Sequence, residues 1–177
     1  MGQMLGFVVI VVLYLVVGLM AAAGTILVGR KTFSPRREQL FYAMFLIMIA
    51  GFYLAFSAYF QAASAAWRLE TIAVGVFVAL GLVGIRFPIA LVLGYSLHGL
   101  WDLLHEFQAH GAWSAFDPGT LTAIPLAYGI FCLAFDICVA SYVVTRRAEW
   151  LAAWKVSAPA GQLQNQSAVG KSISGRT

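Results

Sequence analysis

Apolar residues in this chain come in long unbroken runs, not in the two-residue alternation of a half-buried strand. A helix that crosses a hydrocarbon core of about 30 Å needs about 20 such residues. The pattern predicts five transmembrane helices, over residues 5–28, 39–60, 70–84, 88–107 and 120–144. Polar breaks separate them. The first, Gly29 to Glu38, carries Arg30, Lys31, Arg36, Arg37 and the helix-breaking Pro35. The second holds Trp67 and Arg68, the third is the turn around Arg86, and the fourth, Gln108 to Gly119, holds His110, Trp113, Asp117 and Pro118. Pro88 and Pro125 fall in first helical turns, where proline is tolerated. Small residues at helical spacing, Gly18, Ala21, Ala22 and Gly24 on span one and Gly51, Ala55 and Ala58 on span two, predict close helix packing. Residues 146–155 place Trp150 and Trp154 on one face, which suits an interfacial segment at the lipid headgroups. Residues 157–177 are small, polar and aperiodic, and read as a disordered tail.

Composition agrees with the pattern. The chain is 62% hydrophobic and 10% charged, with mean hydropathy +0.86, whereas a soluble domain carries about 25% charged residues. Only helices and closed barrels cross a bilayer, and continuous runs favour helices. The reading is a single all-α, five-span integral membrane bundle over residues 1–156. The net charge of +4 is no nucleic-acid footprint, because the basic residues sit beside spans. The first run has no basic residue ahead of it and is long for a signal core, so it reads as a span rather than a cleaved leader. Cys132 and Cys138, six apart on different helix faces, suit neither a disulfide framework nor a CxxC pair.

With five spans, Arg30, Lys31, Arg36, Arg37, Arg86, Arg146, Arg147 and Lys155 share one side, and Arg68 stands alone on the other. Basic residues mark the cytoplasmic side. The expected topology has the N-terminus outside and the C-terminus in the cytoplasm, in a membrane taken to be a bacterial cytoplasmic one.

Candidate chemistry is concentrated in Ser96-Leu97-His98-Gly99-Leu100-Trp101-Asp102-Leu103-Leu104-His105-Glu106. Steps of three and four residues stack on one helix face, so His98, Asp102 and His105 share a face, flanked by Trp101 and Glu106. Glu70, at the outer end of span three, falls near the level of His105. Asp136, inside span five, falls deeper than His98. An ionisable group inside a span is a functional candidate by default. The expectation is a polar cleft open to the outside with an acid at its floor.

Three chemistries fit these residues. Asp102 could accept from both imidazoles and fix their tautomers, leaving His98, Asp102 and His105 as base, orienter and acid. A divalent metal such as zinc could be held by His105, Asp102 and Glu70, since these are zinc-type ligands; His98 with Asp102 could also chelate if another helix supplied Glu70 or Asp136. His98 and His105, seven residues and about 10 Å apart, do not suit one shared ion, and with both on one helix an intramolecular bis-histidine haem is not expected. Alternatively His98, Asp102, His105 and the polar residues around them, Glu106 and Asp136, satisfy one another inside the bundle, with Trp101 a packing residue bordering the cleft. Serine chemistry is poorly supported, because Ser96 lies on the wrong face for His98.

Arg86-Phe87, Leu97-His98, Trp101-Asp102 and His105, then Cys132 and Asp136, with Arg37, Gln39, Phe41 and Glu70 after Trp67, resemble a family of small polytopic membrane proteins. That family is catalogued as a domain of unknown function, number sixty-ten. The resemblance covers roughly residues 36–140, and its His-x-x-Trp-Asp-x-x-His core is the most specific part. The chain departs from it at Glu106, where the family tends to have a second histidine, and at Tyr42, where it has Asn. The resemblance implies a multi-pass membrane protein and no established activity.

Three functions are therefore expected to compete. One is a membrane enzyme or binder acting on a lipid or small amphiphile, with or without metal. The second is a proton-coupled carrier relaying through Asp102, His105 and Asp136. The third is a structural or partner subunit, for which an oligomer is compatible with the composition.

Overall fold

The computed structural model describes residues 2–109 and 114–155. The expected tail, and with it His110 and Trp113, lies outside the described residues. Five helices account for most of the rest: α1 (Gly2–Thr32), α2 (Pro35–Tyr59), α3 (Ser64–Gly84), α4 (Pro88–Ala109) and α5 (Tyr128–Lys155). No strand occurs among the described residues. By length and apolarity α1, α2, α3 and α5 can each cross a membrane.

The breaks follow local chemistry. Pro35 opens α2 directly after Ser34, and Pro88 opens α4, in each case at a position whose N–H no helix would use. The fifth helix starts later than its apolar run. Residues 120–127 are irregular, with Pro125 and a left-handed Ala127 (φ 56°) immediately before Tyr128. The third helix starts earlier, at Ser64, because Ala65 and Ala66 are strong helix formers. Glu70 is therefore more than a turn inside α3, not at its end.

α4 sits centrally. It packs most extensively on α5 and also touches α3 and α2, whereas α1 leans on α5 and barely meets α2. The core is aromatic and aliphatic: Tyr42 and Leu46 of α2, Leu91 and Tyr95 of α4, and Phe135, Val139, Val143 and Trp150 of α5. Span one uses part of its small-residue stripe, with Gly18 against the Phe131 carbonyl and Ala22 buried, while Gly24 faces open space. Span two does not use its stripe. Gly51 has nothing near it, and α2 instead buries Glu38, Gln39, Tyr42, Ala43, Leu46, Ala50, Tyr53 and Ser57, because polar side chains with partners and close-packing aromatics decide the inward face.

One end of the bundle is basic and tightly knotted. Residues 146–155 do not form a separate interfacial segment; α5 runs through them, and the face carrying Trp150 and Trp154 turns inward onto α2. Trp150 Nε1 donates to buried Glu38 at 2.8 Å, Arg146 donates to the same carboxylate at 2.9 and 3.2 Å, and so does the Tyr142 hydroxyl. Trp154 Nε1 donates to Gln39 at 2.9 Å, and Gln39 donates to the Gly84 carbonyl at 2.7 Å. Arg36 and Arg86 both stack on the Trp154 ring. These contacts tie the α1–α2 and α3–α4 turns to the end of α5.

Candidate functional site

α4 carries His98, Asp102 and His105 on one face, and that face is enclosed by α2, α3 and α5. All three are at most 1% exposed, as are Glu70 and Asp136. The polar residues divide into two groups along the helix.

The first group joins three helices. His98 Nδ1 donates to Asp136 Oδ2 on α5 at 2.8 Å. The same nitrogen lies 3.0 Å from Asp102 Oδ2. Asp102 Oδ1 accepts from the Tyr53 hydroxyl of α2. A single N–H serves one acceptor well, and it points at Asp136. Asp102 Oδ2, Asp136 Oδ1 and His98 Nε2 are left buried without a hydrogen-bond partner. Buried polar atoms are paired in the great majority of cases, so three orphans in one cluster call for an explanation. The His98 ring meets Phe77 edge-to-face at 5.0 Å and lies near Tyr53. Close helix approach makes this junction: a Cβ on Gly99 would meet the Asp136 Cβ at 3.2 Å, and one on Gly129 would meet the Asp102 carbonyl oxygen at 2.4 Å.

The second group lies toward the α4–α5 loop. His105 Nε2 faces Glu70 Oε1 at 2.8 Å, and its Nδ1 faces the Trp101 carbonyl at 2.9 Å. Both ring nitrogens thus meet acceptors. Glu70 also accepts the Thr122 backbone N–H at 3.0 Å and Trp101 Nε1 at 3.2 Å. Glu106 accepts from the Gly129 N–H at 3.0 Å. The Tyr53 ring lies on His105, 4.7 Å between centroids.

Several expectations change here. Asp102 lies beside His98 but away from His105, because the His105 ring turns to α3, where Glu70 offers a carboxylate. The expected metal set of His105, Asp102 and Glu70 is split between the two groups. The three residues whose ligand atoms lie within 4.8 Å of one another are His98, Asp102 and Asp136. Asp136 stands at the level of His98, not below it. The cleft expected to open outward is filled: Leu121, Thr122 and Ile124 are buried over that end, and Thr122 is tied to Glu70. Tyr53 joins the site although no charge marks it in the sequence; its one signal is that a tyrosine in an apolar span usually needs a partner for its hydroxyl.

A pocket does reach this region, from the side. A cavity of about 370 Å³ lies where α1 and α2 diverge over α5, lined by Ala21, Met48, Phe52, Phe131, Cys132 and Asp136 among others. Its walls are almost wholly apolar, and Asp136 is the one carboxylate on them. Met48 and Phe52 are half exposed at its mouth, on the surface that the apolar helices present outward.

No family model matches the chain, and neither a curated protein nor a solved structure matches it. Among the described residues its fold and site define it only as a helical protein, with four helices long and apolar enough to cross a membrane and a buried His–carboxylate centre.

Proposed function

We propose that this is a five-span membrane protein that takes a lipid or small amphiphile sideways from the bilayer and presents its polar end to Asp136 and His98. The observation that carries this reading is the α1–α2–α5 pocket, whose almost wholly apolar wall reaches Asp136, a carboxylate with one oxygen on His98 and the other without a partner. Ligand sites are commonly concave and apolar with a few convergent polar groups. A mouth bordered by Met48 and Phe52 suits an acyl or alkyl chain. Asp136, the carboxylate among the lining residues, suits a hydroxyl, amine or other donor at its head.

α4 is included among the spans. Its 22 residues measure about 33 Å, and its polar groups face neighbouring helices rather than lipid. We assign the basic end to the cytoplasm, because Arg30, Lys31, Arg36, Arg37, Arg86, Arg146, Arg147 and Lys155 all fall there, and a cytoplasmic membrane is the compartment this bias fits. Binding is favoured over proton-coupled transport because among the described residues no hydrogen bond links His105 to Asp102 or Tyr53. A relay through Asp102, His105 and Asp136 would be interrupted between the two groups.

The test is photolabelling in liposomes with a diazirine-bearing fatty acid. Labels should concentrate on Met48, Phe52 and Phe131, and Ala21→Trp, which fills the pocket, should suppress them. Labelling spread evenly around the bundle, and unchanged by Ala21→Trp, would overturn the reading.

A further inference from the structure

We propose that His98, Asp102 and Asp136 bind a divalent transition-metal ion between α4 and α5, beside the apolar pocket. The residues are those the geometry gathers: one imidazole and one carboxylate four residues apart on α4, and a second carboxylate from α5. Their donor atoms already converge. His98 Nδ1 is 2.8 Å from Asp136 Oδ2 and 3.0 Å from Asp102 Oδ2. Two ligands bound at about 2.1 Å and at right angles on one ion lie about 3.0 Å apart, so little movement is needed to admit one.

The second observation is an unpaired atom at that place. Asp102 Oδ2 points into the cluster, its residue is fully excluded from solvent, and it has no donor. A proton on His98 Nδ1 can serve Asp136 or Asp102 but not both well. A cation at that place serves both carboxylates at once. Ligation also balances charge. With both carboxylates ionised and the imidazole neutral, as metal binding requires, a divalent ion leaves the cluster neutral in a region where uncompensated charge is costly. Tyr53, donating to Asp102 Oδ1, would hold that carboxylate in its ligating orientation, a role that outer partners play at metal sites. One nitrogen with two oxygens is a mixed donor set that suits ions of the zinc, manganese and iron class better than calcium, which takes oxygens, or copper(I), which takes sulfur. His105 and Glu70 belong to the other group and take no part.

Three protein ligands leave coordination positions open, and Asp136 lines the pocket. The further step, that the ion meets the polar head of a pocket ligand, rests on the amphiphile reading above. The ion site itself does not.

The experiment uses full-length protein in detergent, stripped with chelator and then titrated with Zn²⁺ or Co²⁺ alone. Bound metal is measured by elemental analysis, and the Co²⁺ ligand field by visible absorption. Wild type should bind one ion per chain with a Co²⁺ spectrum of mixed nitrogen and oxygen ligation. Asp136→Asn and His98→Gln should each weaken binding at least about tenfold while eluting as folded protein. His105→Gln should keep the ion, and so should Ala21→Trp, even though that variant loses lipid labelling. Absence of stoichiometric metal in wild type, or loss that is equal in His105→Gln and Asp136→Asn, would overturn the metal site. Metal binding without pocket labelling would sink the amphiphile reading alone.

Discussion

Glu70 of α3 and His105 of α4 face each other at 2.8 Å in a place where neither is exposed to solvent. The same carboxylate holds the Thr122 backbone N–H and the Trp101 indole, so one side chain fastens α3, α4 and the α4–α5 loop together. Glu70→Gln keeps the volume but brings an NH₂ against donors. At least one of those donors then loses its acceptor, at about 1–3 kcal/mol. Thermal unfolding in detergent should show that loss, and limited proteolysis should cut the 114–127 loop faster. A variant as stable as wild type, with an unchanged proteolysis pattern, would show that Glu70 is not the fastener.

At the basic end Glu38 should matter far more than its neighbour Glu149. Glu38 is fully buried and accepts from Tyr142, Arg146 and Trp150, whereas Glu149 pairs with the same arginine while 58% exposed. Removing one partner of a buried ion pair typically costs about 3–5 kcal/mol. Loss at an exposed site stays within about 0.5 kcal/mol. Unfolding of Glu38→Ala and Glu149→Ala in parallel checks the ordering, and equal effects would contradict it.

The long spans were legible because hydrocarbon demands continuous apolar sequence, and α4's polar face was legible because three- and four-residue steps stack on a helix. The pairing of those polar groups was not. Asp102 and Glu70 are both acceptors within a plausible reach of His105, and only the rotation of α3 about its axis decides between them. The same holds at Trp150 and Trp154, whose shared face was readable but whose direction depends on a buried glutamate in what looked like a loop. The late start of α5 was obscured because residues 120–127 are apolar enough to continue a span, and a left-handed Ala127 leaves no mark in composition.

Close approach at the site can be tested by adding a single methyl group. A Cβ on Gly129 would lie 2.4 Å from the Asp102 carbonyl oxygen and 2.9 Å from the Glu106 Cβ, while one on Gly51 would meet nothing within 4 Å. Gly129→Ala should therefore cost about 1–3 kcal/mol by overpacking. Gly51→Ala should be neutral or slightly stabilising, since alanine is the better helix former. Melting curves of the two variants decide, and a harmless Gly129→Ala would mean that α4 and α5 do not meet as described.

Orientation predicts a simple reporter pattern. A reporter active only outside the cytoplasm should be silent when fused after Lys155 and active when inserted between Asp117 and Gly119. The reverse result would invert the assignment of the basic end.

Native mass spectrometry of protein extracted in mild detergent reads directly whether a small amphiphile occupies the α1–α2–α5 pocket against Asp136. The prediction is a discrete adduct on wild type, reduced in Asp136→Asn and absent in Ala21→Trp, with His105→Gln indistinguishable from wild type. A wild-type spectrum with no adduct, or an adduct that survives Ala21→Trp, would contradict it.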